Sequence, residues 1–357
     1  MIGWSAGMGF RRFLVRRAFN MAVILSLTVL LTIAILGPSA DAILRRAVEQ
    51  ETRAEILQNK ELVGKFKDPG SLEGYVKSQI RGKMASMGLD DPWYSPRRLW
   101  TIAVKVMALD FGQSYYIRSY GGSSNVRDII LEALPRTILL FGTATLIVAA
   151  LGILVGAAAA RRAGSPLDKA VLGYAVLSNS FPLWWIGMLA ILLFAYTLRI
   201  FPARATPAIP PTDPAYPLAL LYHMALPLAT MVLMGFGGWA YVVRNLMIGI
   251  LQEDYIAVAK AKGVPERKIL YGHALRSAAP PIVTIVALAL SSSFGGAMIT
   301  EAVFDWPGLG RLYWEAISSL DVPVILGLTY VSTLIFLLSV FIADVLYGLF
   351  DPRVRVG

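Results

Sequence analysis

Six stretches of this chain are each apolar for about 20 residues or more, and no other feature constrains its fold as much. The hydrocarbon core of a bilayer is about 30 Å thick, so a crossing helix needs about 20 apolar residues. Lipid offers no partner to a backbone N–H or C=O, so such segments span as helices that satisfy their own hydrogen bonds. The runs cover about 18–37, 135–160, 170–198, 223–243, 281–303 and 323–347. Pro135, Pro281 and Pro323 stand at the start of three of them, where a first-turn residue has no intrahelical N–H bond to lose. Pro182 and Pro227 fall inside or near the ends of spans three and four and predict kinks. The first run follows Arg11, Arg12, Arg16 and Arg17, as a signal peptide would, but its apolar part exceeds the 7–15 residues of a signal core. It is read as a retained span.

Charge orients these spans. With the N-terminus in the cytoplasm, segments 1–17, 161–169, 244–280 and 348–357 carry fifteen Lys or Arg. The two short external segments, 199–222 and 304–322, carry only Arg199, Arg204 and Arg311. The positive-inside rule therefore places both ends inside. The expected fold is an all-α integral membrane protein with six transmembrane helices. Its parts are a cytoplasmic N-terminus (1–17), span one (18–37), a partly helical external segment (38–134), a core of spans two to six (135–347) and a cytoplasmic C-terminus (348–357).

The same composition excludes several functions. The net charge of +10 follows from topology and needs no nucleic-acid partner. There is no cysteine and only two histidines, His223 and His273, so neither a thiol nucleophile nor a histidine metal cluster can be assembled. No G-x-x-x-x-G-K-[ST] string is present to cradle ATP phosphates. A membrane enzyme would need a nucleophile–base pair or a metal constellation, and neither is found. A secondary transporter, the rival transport class, would need charged groups within its spans for ion coupling. Between Ala170 and Leu198 there are none, and span four has none before Arg244.

Two polar segments stand out between the spans. Externally, the dense mixed charge from Asp41 to Phe66 predicts a solvated helix, followed by a turn at Asp68-Pro69-Gly70. This segment reads as a structural cap or as a docking surface. Inside the cell, Ser165-Pro166-Leu167-Asp168 is a helix start with a hydroxyl cap. Segment 253–280 predicts a short helix capped by Asp254, with Tyr255, Val258, Ala259 and Lys262 on one face. Gly263 supplies a left-handed stop, and Pro265 opens a second helix with Glu266 at its positive end. Ala257, Ala259 and Ala261 permit close approach of another backbone. The basic residues Lys260, Lys262, Arg267 and Lys268 suit either lipid or protein.

Candidate pathway residues lie in spans three and five. Asn179 and Ser180 are polar within span three, and Ser291, Ser292 and Ser293 precede a glycine pair in span five. Small polar residues in lipid serve helix packing or line a path. Glu301 at the end of span five must face protein, water or a partner, and Arg311, beyond the Trp306-Pro307-Gly308 turn, is its expected ion-pair partner. Asp344 is expected to pair with Arg353, Arg355 or Arg244.

These strings, with several others, resemble one family. DYIAVAKAKG (254–263) followed by HALRSA (273–278) is similar to the cytoplasmic loop of ATP-binding-cassette importer permeases, in the form typical of the peptide and nickel branch. MGLD (87–90), LDFGQSY (109–115), LPRTILL (134–140), SNSFPLWWIGM (178–188), FGGAMITEAVFDWPGLGRL (294–312) and DVLYGLFDPRVR (344–355) agree in order along the chain. Residues 41–83 are not matched. The resemblance implies the type I importer fold in the cell's inner membrane. It also implies a second homologous permease, two cytoplasmic ATPases that hold ATP and Mg, and an external or periplasmic substrate-binding protein. No cofactor on this chain is implied. Asp254, Tyr255, Val258, Ala259, Ala261, Lys262, Gly263 and Arg267 become the contact that couples ATP to alternating access. Peptide is the substrate it implies first, with oligosaccharide or nickel as alternatives.

Overall fold

A computed structural model describes residues 10–66, 68–293 and 296–350. Among them there is no β-strand, only one antiparallel bridge between Gln113 and Asn125. The first helix, α1 (Phe10–Gln58), has 49 residues and passes through Pro38 without ending. At 1.5 Å per residue it is about 70 Å long, far more than a bilayer needs. The expected first span and the expected charged external helix are thus one rod.

The external segment folds back on that rod. After the single turn α2 (Lys60–Val63) comes α3 (Pro69–Ser86). Asp68-Pro69-Gly70 is its start and not a free turn: the Asp68 side chain accepts from the Ser71 N–H, and Pro69 occupies the first helical position. Val76 and Ile80 of α3 bury against Ile56 of α1. Next, α4 (Pro96–Met107) is capped by Ser95, and its Arg98 pairs with Asp41 of α1 at 2.7 Å. The following loop is held by the buried Asp321, whose carboxylate accepts from the Ser114 hydroxyl at 2.6 Å and from the Tyr115 and Tyr116 N–H groups at 3.0 Å. Burial, and then the Asp321 charge, push the Tyr115 phenol up to about 12.

Span two begins earlier than its proline implied. Asn125 caps α5 (Val126–Thr137), which continues through a wide turn at Ile138–Gly142 into α6 (Thr143–Ala160). Pro135 lies inside this helix. The apolar face Val126, Ile129, Ile130 and Ala133 extends the buried helix outward, against Leu309, Leu312 and Leu328. Span three is broken outright: α7 (Pro166–Ser180) and α8 (Leu183–Ala190), whose helix runs on to Thr197, meet at 91°. Ser165 caps α7 by accepting from the Asp168 N–H.

Span four is α9 (Tyr216–Leu251), with Pro227 inside it. After the short helix α10 (Asp254–Ala261), α11 (Glu266–Lys268) leads through Ile269–Ala274 into α12 (Leu275–Ser293). Pro281, expected to open span five, is therefore interior. The helix that Pro265 introduces and span five are one unit of 28 residues. Beyond it stand α13 (Met298–Phe304), α14 (Leu309–Ser319) and α15 (Val322–Phe350), with Pro323 in the first turn of α15. Among the described residues, five helices are long and apolar enough to cross a membrane, or six with the bent α7–α8 pair taken as one span.

Small residues set the tightest contact. Gly152, Gly156 and Ala160 recur every fourth position of α6, facing α9. A Cβ on Gly156 would lie 2.5 Å from the Ala240 carbonyl. Backbones pressed this close are the usual basis of helix association in lipid. Near the cytoplasmic end, Arg244 of α9 grips the buried Asp168 of α7 at 2.6 and 2.8 Å, and Asp168 also accepts from the Gly164 N–H at 2.7 Å. Arg244 is thus not the partner of Asp344, which instead pairs with Arg17 of α1 at 2.6 Å. Arg353 and Arg355, the other expected partners, lie outside the described residues.

Candidate functional site

On the cytoplasmic side, α10 is fastened chiefly by one buried side chain. Ile256 is 0% exposed among Ala157 and Ala160 of α6, Val243 and Met247 of α9, and Ile269, Leu270 and Ala274 leading into α12. Its position thereby depends on the ends of three spans. Glu253, not Asp254, occupies the cap position. Asp254 is the first helical residue, where its charge suits the positive helix end. Gly263 adopts φ +74° and its N–H reaches the Lys260 carbonyl at 3.0 Å, a left-handed stop that favours glycine. Tyr255, Val258, Ala261 and Lys262 are exposed, as is Ala257, while Ala259 turns half into the core. The shared face read from the sequence therefore splits at Ala259. The Tyr255 hydroxyl meets the Ser277 hydroxyl at 2.8 Å, and Arg267 is exposed on α11 beside Glu266, which pairs with Arg161. The arrangement leaves a free, small-residue face on a helix rooted in the bundle.

Within the bundle, α6, α7, the start of α8, α9 and α12 line an open cavity of about 460 Å³. Thr145, Ser178, Asn179, Ser292 and Ser293 supply its polar groups, and Met231, Met234 and Trp239 much of its apolar wall. Among the described residues none that lines it is charged. Asn179, Ser292 and Ser293 are thus brought together from two spans. Ser180, the last residue of α7, does not line it. Its hydroxyl donates back to the Val176 carbonyl. Ser291 is buried on the other side of α12, where its hydroxyl donates to the Ser339 carbonyl of α15 at 3.3 Å. At the break, Phe181 and Trp185 stack with centroids 5.3 Å apart.

Above the cavity, Glu301 is 0% exposed. Its expected ion pair with Arg311 is not formed. The carboxylate accepts from the Thr137 hydroxyl at 3.0 Å and from the backbone N–H groups of Gly310 at 2.9 Å and Arg311 at 3.2 Å. The turn at Trp306-Pro307-Gly308 brings the start of α14, with its unpaired N–H groups, onto Glu301. The guanidinium of Arg311 points away, to Asp305 at 2.9 Å, Glu315 at 2.8 Å and the Thr206 hydroxyl at 2.7 Å. Gly308 is required here, since a Cβ would sit 2.9 Å from the Glu301 Cδ and closer still to Thr137. Thr137 also accepts from the Leu309 N–H at 2.7 Å, and the Trp306 indole donates to the Arg136 carbonyl at 3.1 Å. Sequence reasoning did not single out Thr137 or the methionine wall. Only the string 134–140 pointed near the former.

Spans that line an uncharged pocket, with Glu301 and Thr137 joined beyond one end and α10 rooted at the other, define a polytopic membrane protein. The chain belongs to the family described as the binding-protein-dependent transport system inner membrane component, whose model matches residues 152–356. It is 30% identical to the oligopeptide transport system permease protein AppB of Bacillus subtilis (strain 168), over 75% of this chain and 82% of the relative. The dipeptide transport system permease protein DppB of Escherichia coli (strain K12) is 31% identical, over 76% and 84%. A putative peptide transport system permease protein of Brucella abortus (strain 2308) is 34% identical, over 81% and 89%.

Proposed function

We propose that this chain is one of two permease subunits through which an ATP-driven importer moves peptides inward. The relatives' names supply the substrate class. A wall of hydroxyl, amide and thioether groups suits a substrate whose shared feature is an uncharged backbone. Thr145, Ser178, Asn179, Ser292 and Ser293 line the path, and Glu301 with Thr137 holds the outer mouth. The exposed face of α10 seats on one of two ATPases, which bind ATP and Mg, while an external binding protein delivers the peptide. Closure of the ATPases moves α10, and through Ile256 the ends of α6, α9 and α12, so that the cavity opens alternately to each side. Such coupling requires contacts that differ between the two states.

The observation that carries this reading is the cavity bounded by the same spans that root α10. Its test is uptake by proteoliposomes holding the complete assembly, with labelled di- and tripeptides, oligosaccharides and nickel supplied side by side. Saturable uptake of peptides alone is expected. Uptake of oligosaccharide or nickel without peptide would overturn the assignment of substrate.

A further inference from the structure

The external helix α4 has an apolar arc wider than the protein it packs on. Val106 is buried and Leu99, Ile102 and Ala103 half-buried in the cluster that includes Leu25, Val29 and Ile33 of α1. Beside that covered face, Trp100, Val104 and Met107 recur at i, i+4 and i+7 and are 73%, 48% and 42% exposed. The opposite edge of the outer surface is polar, with Thr101 and Lys105 exposed and Arg97 between the two edges. An exposed tryptophan on an apolar stripe costs free energy in water. The depth of α4 explains why it is tolerated. Trp93, just before α4, closes on Gly37 at the outer end of the first apolar run, where a Cβ would meet its ring. One turn further out, Arg98 pairs with Asp41 at 2.7 Å. The helix therefore lies at the level where the first span leaves the hydrocarbon. Apolar side chains of α1, including Leu27, Leu31 and Ile35, are exposed just below that level, on the apolar part of a membrane-spanning helix.

We propose that α4 is an interfacial helix whose Trp100, Val104 and Met107 edge is seated in the outer leaflet of the membrane, at the boundary of headgroups and acyl chains. The occupant is lipid because the uncovered stripe is continuous in depth with the lipid-facing surface of α1. Tryptophan at the interface and a basic polar edge toward water are the marks of such a helix. The external segment is then anchored twice, by α1 and by lipid, which fixes the loop from Phe111 to Asn125 that precedes span two.

The absence of native cysteine makes the test direct. Nitroxide labels are placed by Trp100→Cys, Val104→Cys, Met107→Cys and Lys105→Cys. Leu31→Cys serves as a lipid reference and Glu49→Cys as a water reference. The full chain, with the subunits that co-purify with it, is reconstituted in vesicles of phosphatidylethanolamine and phosphatidylglycerol. Relaxation of each label by oxygen and by a water-soluble nickel chelate is then compared. Labels at 100, 104 and 107 should follow Leu31, with oxygen dominant, and the label at 105 should follow Glu49. Chelate-dominated relaxation at 100 and 104 would place the stripe in water. Protection from both agents would place it under a protein subunit. Either result overturns the proposal, and if Trp100→Cys fails to fold, Val104→Cys and Met107→Cys decide it.

Discussion

Glu301→Gln perturbs the outer knot with almost no change of shape. In the native protein three donors converge on the carboxylate: the Thr137 hydroxyl and the N–H groups of Gly310 and Arg311. Glutamine keeps one acceptor oxygen and replaces the other with a group that only donates. With its oxygen toward the two N–H groups, the Thr137 hydroxyl proton loses its partner and the remaining bonds lose their charge. Hydrogen bonds to charged groups contribute about 1.5–3 kcal/mol, and an unpaired buried donor costs about 1–3 kcal/mol, so a loss of about 2–4 kcal/mol is expected. Arg311→Gln should cost much less. Its side chain is 27% exposed and its charged partners are Asp305 and Glu315, and partly solvated pairs contribute about 0–1 kcal/mol. The assay is denaturant unfolding of the purified assembly in detergent, run as two double-mutant cycles. Glu301→Gln with Thr137→Val should show coupling of about 1–2 kcal/mol, and Glu301→Gln with Arg311→Gln additivity within about 0.5 kcal/mol. Strong coupling to Arg311, with additivity at Thr137, would refute the reasoning, because the carboxylate would then be bonded to the guanidinium.

Three further outcomes are expected. Gly263→Val should abolish peptide uptake while leaving membrane insertion intact. Beyond its chain neighbours no atom stands within 4 Å of the added Cβ, so the cost of about 1–2 kcal/mol is chiefly that of the left-handed backbone, and normal uptake would count against the role given to α10. Gly156→Val should prevent stable assembly, since its Cβ falls 2.5 Å from the Ala240 carbonyl; an unchanged size-exclusion profile in detergent would show that α6 and α9 separate freely. Asp168→Asn should lower the unfolding midpoint by the equivalent of about 1–3 kcal/mol, the usual cost of losing a hydrogen bond between charged groups, since Arg244 is partly solvated, and Asp168→Asn combined with Arg244→Met should recover part of it.

Local chemistry made several features legible in the sequence, and long-range geometry hid others. Ser165 before Pro166 and Asp168, and Gly263 after Lys262, mark helix ends with side chains and backbone freedoms that act within four residues. Pro135 and Pro281 misled because proline reports only where a helix can begin. Each lies inside a helix that starts earlier and whose first turns bury apolar faces far away in sequence, as Ile129 and Ile130 do against α15. Kinks were expected at Pro182 and Pro227, but only Pro182, preceded by the extended Phe181, became a full break. The partner of Glu301 was misread for a related reason. Its main partners are backbone N–H groups, which every residue carries and no side-chain pattern announces. Asp344 and Arg17, 327 positions apart, meet only because α1 and α15 pack side by side.

The energy source is the most direct test of the central claim. Labelled peptide uptake and ATP hydrolysis would be measured in the same proteoliposomes, for the wild-type assembly and for Ala261→Trp, which blocks the exposed small face of α10 without touching the Ile256 anchor. The account predicts uptake that stops when ATP is withheld, ignores an imposed proton or sodium gradient, and falls to background in Ala261→Trp although the complex inserts normally. Uptake that continues without ATP and follows the ion gradient would contradict it.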